Sequence, residues 1–220
     1  MKPTRIKICG ITNLEDALAA VEAGADVLGY NFYPHSPRYI SPVMCARIQA
    51  GLENHGISVC TVGVFVNETV GSVSRTLKTC GLDLAQLSGD EPPLEVKALG
   101  GLAFKGIRPQ NEGEAVAFSR LYAEPEVLPA LLVDAYRPGL YGGTGHTGNW
   151  SLARSLSGRY SILLAGGLHP GNVAQAVEQV RPWGVDVASG VESSPRRKDP
   201  QKMSDFIQAV QKLSQEVSPC

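Results

Sequence analysis

A cysteine, an aspartate and two glycine-rich turns are the parts of this chain that carry the plainest chemical meaning. The segment Lys7-Ile8-Cys9-Gly10-Ile11-Thr12 closes a short β-branched run. With a side-chain period of two, Lys7 and Cys9 share one face of a strand, and Ile6 and Ile8 share the other. A free thiol has a pKa of about 8.5, so Cys9 becomes a useful base near neutral pH only beside a cation. Lys7, one layer below, is placed to be near it. The competing reading of Cys9 is a small buried hydrophobe. The run from Leu128 to Val133 is apolar enough for burial on both faces and breaks off at Asp134. That carboxylate must be solvated, paired or used, because burying an unpaired charge is costly. Helix capping and catalysis both fit it.

Anion binding is written into two turns. Ala165-Gly166-Gly167-Leu168 and Asp186-Val187-Ala188-Ser189-Gly190 let backbone amides approach a charged group closely. A helix starting beyond them would add its positive end. Arg38, in the stiff stretch Ser36-Pro37-Arg38-Tyr39-Ile40-Ser41, offers a guanidinium that can grip a carboxylate with two parallel bonds. Gly143, Gly145 and Gly148 have dinucleotide-fingerprint spacing, but eight residues separate Gly143 from Asp134. That fingerprint joins a strand directly to a helix, so the stretch reads instead as a loop that covers a ligand. His35, His55, His146 and His169 lack metal-ligand spacing, and no metal site is expected.

The elements that must position these residues repeat one motif eight times: a β-branched run, a polar or glycine-rich turn, then a helical stretch. The strands predicted are Arg5–Cys9, Asp26–Phe32, Ser58–Phe65, Leu82–Leu87, Ala103–Arg108, Leu128–Asp134, Tyr160–Ala165 and Val185–Ser189. Thr12-Asn13-Leu14-Glu15 reads as a capping box, and Ser41-Pro42 as an N-cap followed by a proline at the first helical position. Alternating strands and helices require a parallel sheet. Short units without a linker favour closure of residues 1–220 into a single (βα)8 TIM barrel over an open doubly wound sheet. Chemistry then belongs on the carboxyl rim, and the loops after strands 7 and 8 are a frequent phosphate site.

Composition narrows the function classes. A net charge of −1 gives no field for nucleic acid or an anionic membrane. The longest apolar runs are too short to span a bilayer, and the Met1-Lys2-Pro3 start does not read as a secretory signal. Five cysteines without a Cys-x-x-Cys pair fit reduced thiols, so a cytoplasmic location is expected.

Taken in order, several motifs resemble those of the phosphoribosylanthranilate isomerase family. They are Lys7 to Thr12, Ser36 to Ser41, Val62-Gly63-Val64-Phe65-Val66-Asn67, Leu132-Val133-Asp134-Ala135, Tyr141-Gly142-Gly143-Thr144-Gly145, Ala165 to Leu168 and Ser189-Gly190-Val191-Glu192. The likeness runs from Ile6 to Glu192 and the family's fold is the βα barrel. It implies an Amadori rearrangement of N-(5-phosphoribosyl)anthranilate, with Cys9 as general base and Asp134 as general acid. It places Arg38 against the anthranilate, and Gly166, Gly167, Ser189 and Gly190 at the phosphate; Asp186 joins them as a substrate-binding candidate. No cofactor is implied, the partner is a small phosphorylated substrate, and the chain would act as a monomer or homodimer. Ser88 stands where the family usually has His, Gly148 and Asn149 where it has a larger apolar residue and Asp, and Ala188 replaces a usual Ser. Two alternatives are a Schiff-base aldolase using Lys7 or Lys105 and a barrel that only binds.

Overall fold

Eight parallel strands close on themselves in chain order, each paired with the next and the last with the first. The computed structural model describes residues 3–123, 127–134 and 150–216. The strands are β1 Arg5–Cys9, β2 Val27–Asn31, β3 Cys60–Phe65, β4 Leu84–Leu87, β5 Ala103–Ile107, β6 Leu131–Val133, β7 Ile162–Leu164 and β8 Gly184–Val187. Between them lie α1 Leu14–Ala23, α2 Pro42–Asn54, α3 Val70–Cys80, α4 Pro93–Ala98, α5 Glu112–Tyr122, α6 Trp150–Ser157 and α7 Val173–Val180. A short antiparallel hairpin, β9 Glu192–Ser194 and β10 Arg197–Lys198, follows β8, and α8 Pro200–Glu216 ends the described chain. The expected TIM barrel is the observed fold.

Two apolar clusters show how the sequence achieves closure. The larger joins Ile6, Ile8, Leu28, Tyr30 and Phe65 to helix residues such as Ala17, Ile48, Met203 and Phe206. The smaller contains Val27, Val62, Phe104, Leu132 and Leu163. These alternate along their strands with members of the first cluster, so they fill the barrel interior while the others pack under the helices. Lys7 is in register with Val27 and with Asp186, which puts Lys7, Asp186 and, one layer higher, Cys9 on the inward face.

The strands are shorter than the apolar runs suggest, and local chemistry explains the largest difference. Leu128–Asp134 contracts to Leu131–Val133 because Pro129 has no N–H for the ladder and Leu128 is half exposed. Asp134 still donates its N–H to the Ile107 carbonyl at 3.1 Å, just past the strand end. At the far end of the chain, Ser189 leaves the sheet for a 3₁₀ turn, Ser189–Val191, that feeds the hairpin.

Helix α1 corrects the predicted cap by one residue. Asn13 is the N-cap: its Oδ1 accepts from the Asp16 N–H at 2.8 Å and its Nδ2 donates to Asp16 Oδ2. Asp16 also accepts the Lys198 N–H at 3.0 Å, tying the start of α1 to β10. Thr12, the predicted cap, instead donates its hydroxyl to the Arg196 carbonyl. Ser41 caps α2 as expected, accepting from the Met44 N–H with Pro42 in the first turn.

Candidate active site

Cys9 ends β1 at the carboxyl rim and is buried, facing the barrel interior. Its register partner on β2 is Gly29. A methyl group placed on Gly29 would lie 2.8 Å from Cys9 Sγ and 3.0 Å from Lys7 Nζ, so the bare backbone of Gly29 is what leaves room for thiol and ammonium together. Burial pushes the Cys9 thiol above its ordinary value, the Lys7 charge pulls it back, Asp186 adds to the rise, and Lys198 opposes it.

Beneath Cys9 a buried polar chain crosses the barrel. Lys7 Nζ donates to Asp186 Oδ1 at 2.6 Å and to Gln86 Oε1 at 3.2 Å, and Gln86 Nε2 donates to the Ser88 hydroxyl at 3.0 Å. Burial alone would lower Lys7, but Asp186 and Cys9 outweigh it and hold the ammonium above its usual value. Removing one member of such a pair leaves an uncompensated buried charge, a loss of about 3–5 kcal/mol in comparable cases. Asp186 therefore faces Lys7 rather than open solvent.

Arg38 is anchored from the other side. Its Nε and Nη2 donate to Glu192 Oε1 and Oε2, both at 2.7 Å, so the side-on fork read as a carboxylate grip is engaged within the chain. Lys198, on β10, donates its ammonium to the Cys9 carbonyl at 2.7 Å, the Ala188 carbonyl at 3.0 Å and Glu192 Oε1 at 3.2 Å. Burial would raise the Glu192 carboxyl, but Arg38 and Lys198 outweigh that and hold it below its usual range. The hairpin thus straps the end of β8 to the end of β1.

The two glycine turns meet above β7 and β8. Gly166 and Gly167 take left-handed φ values of 96° and 65°, which side chains adopt at a cost. Asn172, the N-cap of α7, donates to the Gly167 carbonyl at 3.0 Å and accepts from the His169 N–H at 2.9 Å. A Cβ on Gly190 would stand 1.9 Å from the Leu168 carbonyl oxygen, so the two loops touch backbone to backbone there. Asp134 lies one residue beyond β6 and half-buried; by strand alternation from Leu132 it is on the inward side.

This arrangement is an inward-facing thiol, a carboxyl across the mouth, and a glycine-lined turn pair on strands 7 and 8. Residues 6–209 match the model of the N-(5'-phosphoribosyl)anthranilate (PRA) isomerase family. The chain belongs to that family. An N-(5'-phosphoribosyl)anthranilate isomerase of Citrifermentans bemidjiense is 48% identical over 211 residues, covering 96% of this chain and 98% of that protein. A crystal structure of monomers generated from the dimeric phosphoribosylanthranilate isomerase of Thermotoga maritima superposes with a TM-score of 0.82 at 38% identity, covering 95% and 99% of the two chains. A crystal structure of phosphoribosylanthranilate isomerase in complex with reduced 1-(o-carboxyphenylamino)-1-deoxyribulose 5-phosphate gives a TM-score of 0.81 at 37% identity, again covering 95% and 99%. The activity is accordingly the isomerisation of N-(5'-phosphoribosyl)anthranilate in tryptophan biosynthesis.

Within the phosphoribosylanthranilate isomerase pattern, two of the departures now have a structural account. Ser88 is buried and accepts the Gln86 amide, so the smaller side chain still closes the polar chain to Lys7. Ala188 contributes its carbonyl to Lys198, a bond that any residue there would supply. Gly148 and Asn149, with the glycine-rich stretch 141–148 and His146, lie outside the described residues. Lys198 was missed by sequence reasoning, because a charged run from Arg196 to Asp199 reads as solvated surface.

The Gly190 contact sharpens one expectation. Gly190→Val should raise KM at least about tenfold, since a side chain must push the Leu168 carbonyl aside and spread the two loops. Steady-state kinetics checks it, with inorganic phosphate as competitor; an unchanged KM would put the anion elsewhere.

Proposed function

We propose that Cys9 and Asp134 are the base and acid of the isomerisation, and that the turns at Gly166, Gly167, Ser189 and Gly190 hold the substrate phosphate. The observation that carries this reading is the placement of Cys9 at the inward end of β1, beside the Lys7 ammonium, with Asp134 at the inward end of β6. Asp134 would donate its proton to the furanose ring oxygen as the C1–O bond breaks, leaving a protonated imine. That cation acidifies C2, and the Cys9 thiolate would take the C2 proton to give the enolamine, which tautomerises to the ketose. Arg38, oriented by Glu192, is assigned to the anthranilate carboxylate through Nη1, because Nε and Nη2 already serve Glu192.

The aldolase alternative fares poorly on the lysines. A Schiff-base lysine must shed its proton, whereas Asp186 keeps Lys7 charged. Lys105 alternates with Phe104 and Gly106, so it points outward, where it binds Glu91 and the Gly89 carbonyl and lies over the Tyr122 ring. Among the described residues no group of three or more His, Cys, Asp and Glu is placed to hold a metal, and no helix is long and apolar enough to cross a membrane. Cys9, Cys45, Cys60 and Cys80 are all free thiols, which supports a reducing, cytoplasmic setting. A monomer or homodimer is assigned, in keeping with the dimeric relative named above.

The pH–rate profile tests the acid–base pair. The reactive form, thiolate with protonated carboxyl, and the commoner form, thiol with carboxylate, contain the same number of protons. The rate is therefore highest between the pair's two macroscopic values and falls on both sides. Because burial raises the Cys9 thiol, the alkaline limb should lie above the ordinary thiol range. A profile of kcat/KM flat from about pH 5 to beyond pH 10, with chemistry rate-limiting, would contradict the pair.

A further inference from the structure

The surroundings of Cys9 carry one inference beyond the acid–base assignment, and it deepens that reading. We propose that Lys7 is a positioning residue for the Cys9 chemistry: its ammonium, seated beside Sγ in the space Gly29 leaves open and held there by Asp186, is the counter-ion of the thiolate.

Three observations support it independently. A methyl on Gly29 would collide with Cys9 Sγ and Lys7 Nζ at once, which places the two atoms side by side against one patch of backbone. Gly29 has no left-handed φ, so its small size serves the space and not the turn of the chain. Lys7 is fixed in place by Asp186, its register partner, at 2.6 Å and from across the barrel by Gln86 at 3.2 Å, which use two of its three N–H donors.

The charges facing Cys9 come from every side. Lys7 shares its own strand, Asp186 stands on β8, and Lys198 on β10 binds the Cys9 carbonyl. Arg38, beyond β2, also feels the thiolate, but its charge is engaged with Glu192, as part of the Lys198 charge is. Lys7 is the cation whose head group shares the Gly29 patch with Sγ, while Asp186 stands one layer lower, in register with Lys7. A Lys7–Asp186 pair therefore differs from a merely structural ion pair: replaced as a unit, it takes a net stabilisation of the thiolate with it.

The test is iodoacetamide alkylation of the ligand-free protein as a function of pH, read at the Cys9 peptide by mass spectrometry so that the other cysteines do not interfere. The Lys7→Met/Asp186→Asn double variant keeps the local charge balanced. Its Cys9 should react at least about tenfold more slowly at pH 8, a rise of one pKa unit or more. Gly29→Ala, which leaves every charge in place and fits its backbone, should slow the same reaction several-fold by forcing Sγ and Nζ apart. In both, kcat should fall, and in Gly29→Ala product-analogue binding should hold. Unchanged alkylation in the double variant, or in Gly29→Ala should the double variant fail to fold, would overturn the proposal. The base assignment fails separately: if Cys9→Ala retains activity while alkylation still follows Lys7, the ion pair stands and Cys9 is not the base.

Discussion

Cys9→Ala should lose about 10²–10⁴-fold in kcat with little change in the affinity for a product analogue. The reasoning is local. Methyl for thiol removes the proton acceptor at C2 and nothing that holds the substrate. The site tolerates the change sterically, because Cys9 already shares its space with the Lys7 ammonium against Gly29. The loss should appear in single-turnover measurements as slow chemistry, not slow release. A variant within a few-fold of the parent would reduce Cys9 to a packed thiol, and the carboxyl of Asp134 or water would have to be the base.

Asp134→Asn should be comparably severe by a different route. The amide keeps the shape and can still hydrogen-bond, but it has no acidic proton for the ring oxygen, so the furanose stays closed. The backbone bond from the Asp134 N–H to the Ile107 carbonyl does not depend on the side chain, and strand β6 should be preserved. Both kcat and kcat/KM should fall together, as expected when an interaction made only in the transition state is removed. A substrate analogue supplied already open, as the imine, should be turned over by Asp134→Asn better than the cyclic substrate. Equal losses on both would move the acid elsewhere.

These expectations rest on residues whose meaning was legible to different degrees. The eight repeats were readable because the strands are short, mostly apolar runs buried on both faces, and the barrel follows from parallel pairing without a linker. Strand ends were less so. Where a run stops being a strand depends on its partner's register and on features such as Pro129, which the local apolar pattern hides. The move of the α1 cap from Thr12 to Asn13 has the same origin. Both residues cap helices well, and the choice is made by the distant Lys198 N–H that binds Asp16. Cys9, Asp134 and the glycine turns were visible because polar or bare residues interrupt apolar strands. Lys198 and the Glu192–Arg38 pair were not, since their burial is created by a hairpin folding back over a strand more than half the chain away. Lys7 lay between these cases: period two put it under Cys9, while its commitment to Asp186 appears only once β1 and β8 close the barrel.

The most direct test of the account is the decay of anthranilate-type fluorescence when the purified protein is mixed with freshly prepared N-(5'-phosphoribosyl)anthranilate. The account predicts rapid loss of the signal above the protein-free blank at micromolar protein, and a trace close to the blank for Cys9→Ala and Asp134→Asn. A parent protein no faster than the blank, or variants as fast as the parent, would contradict it.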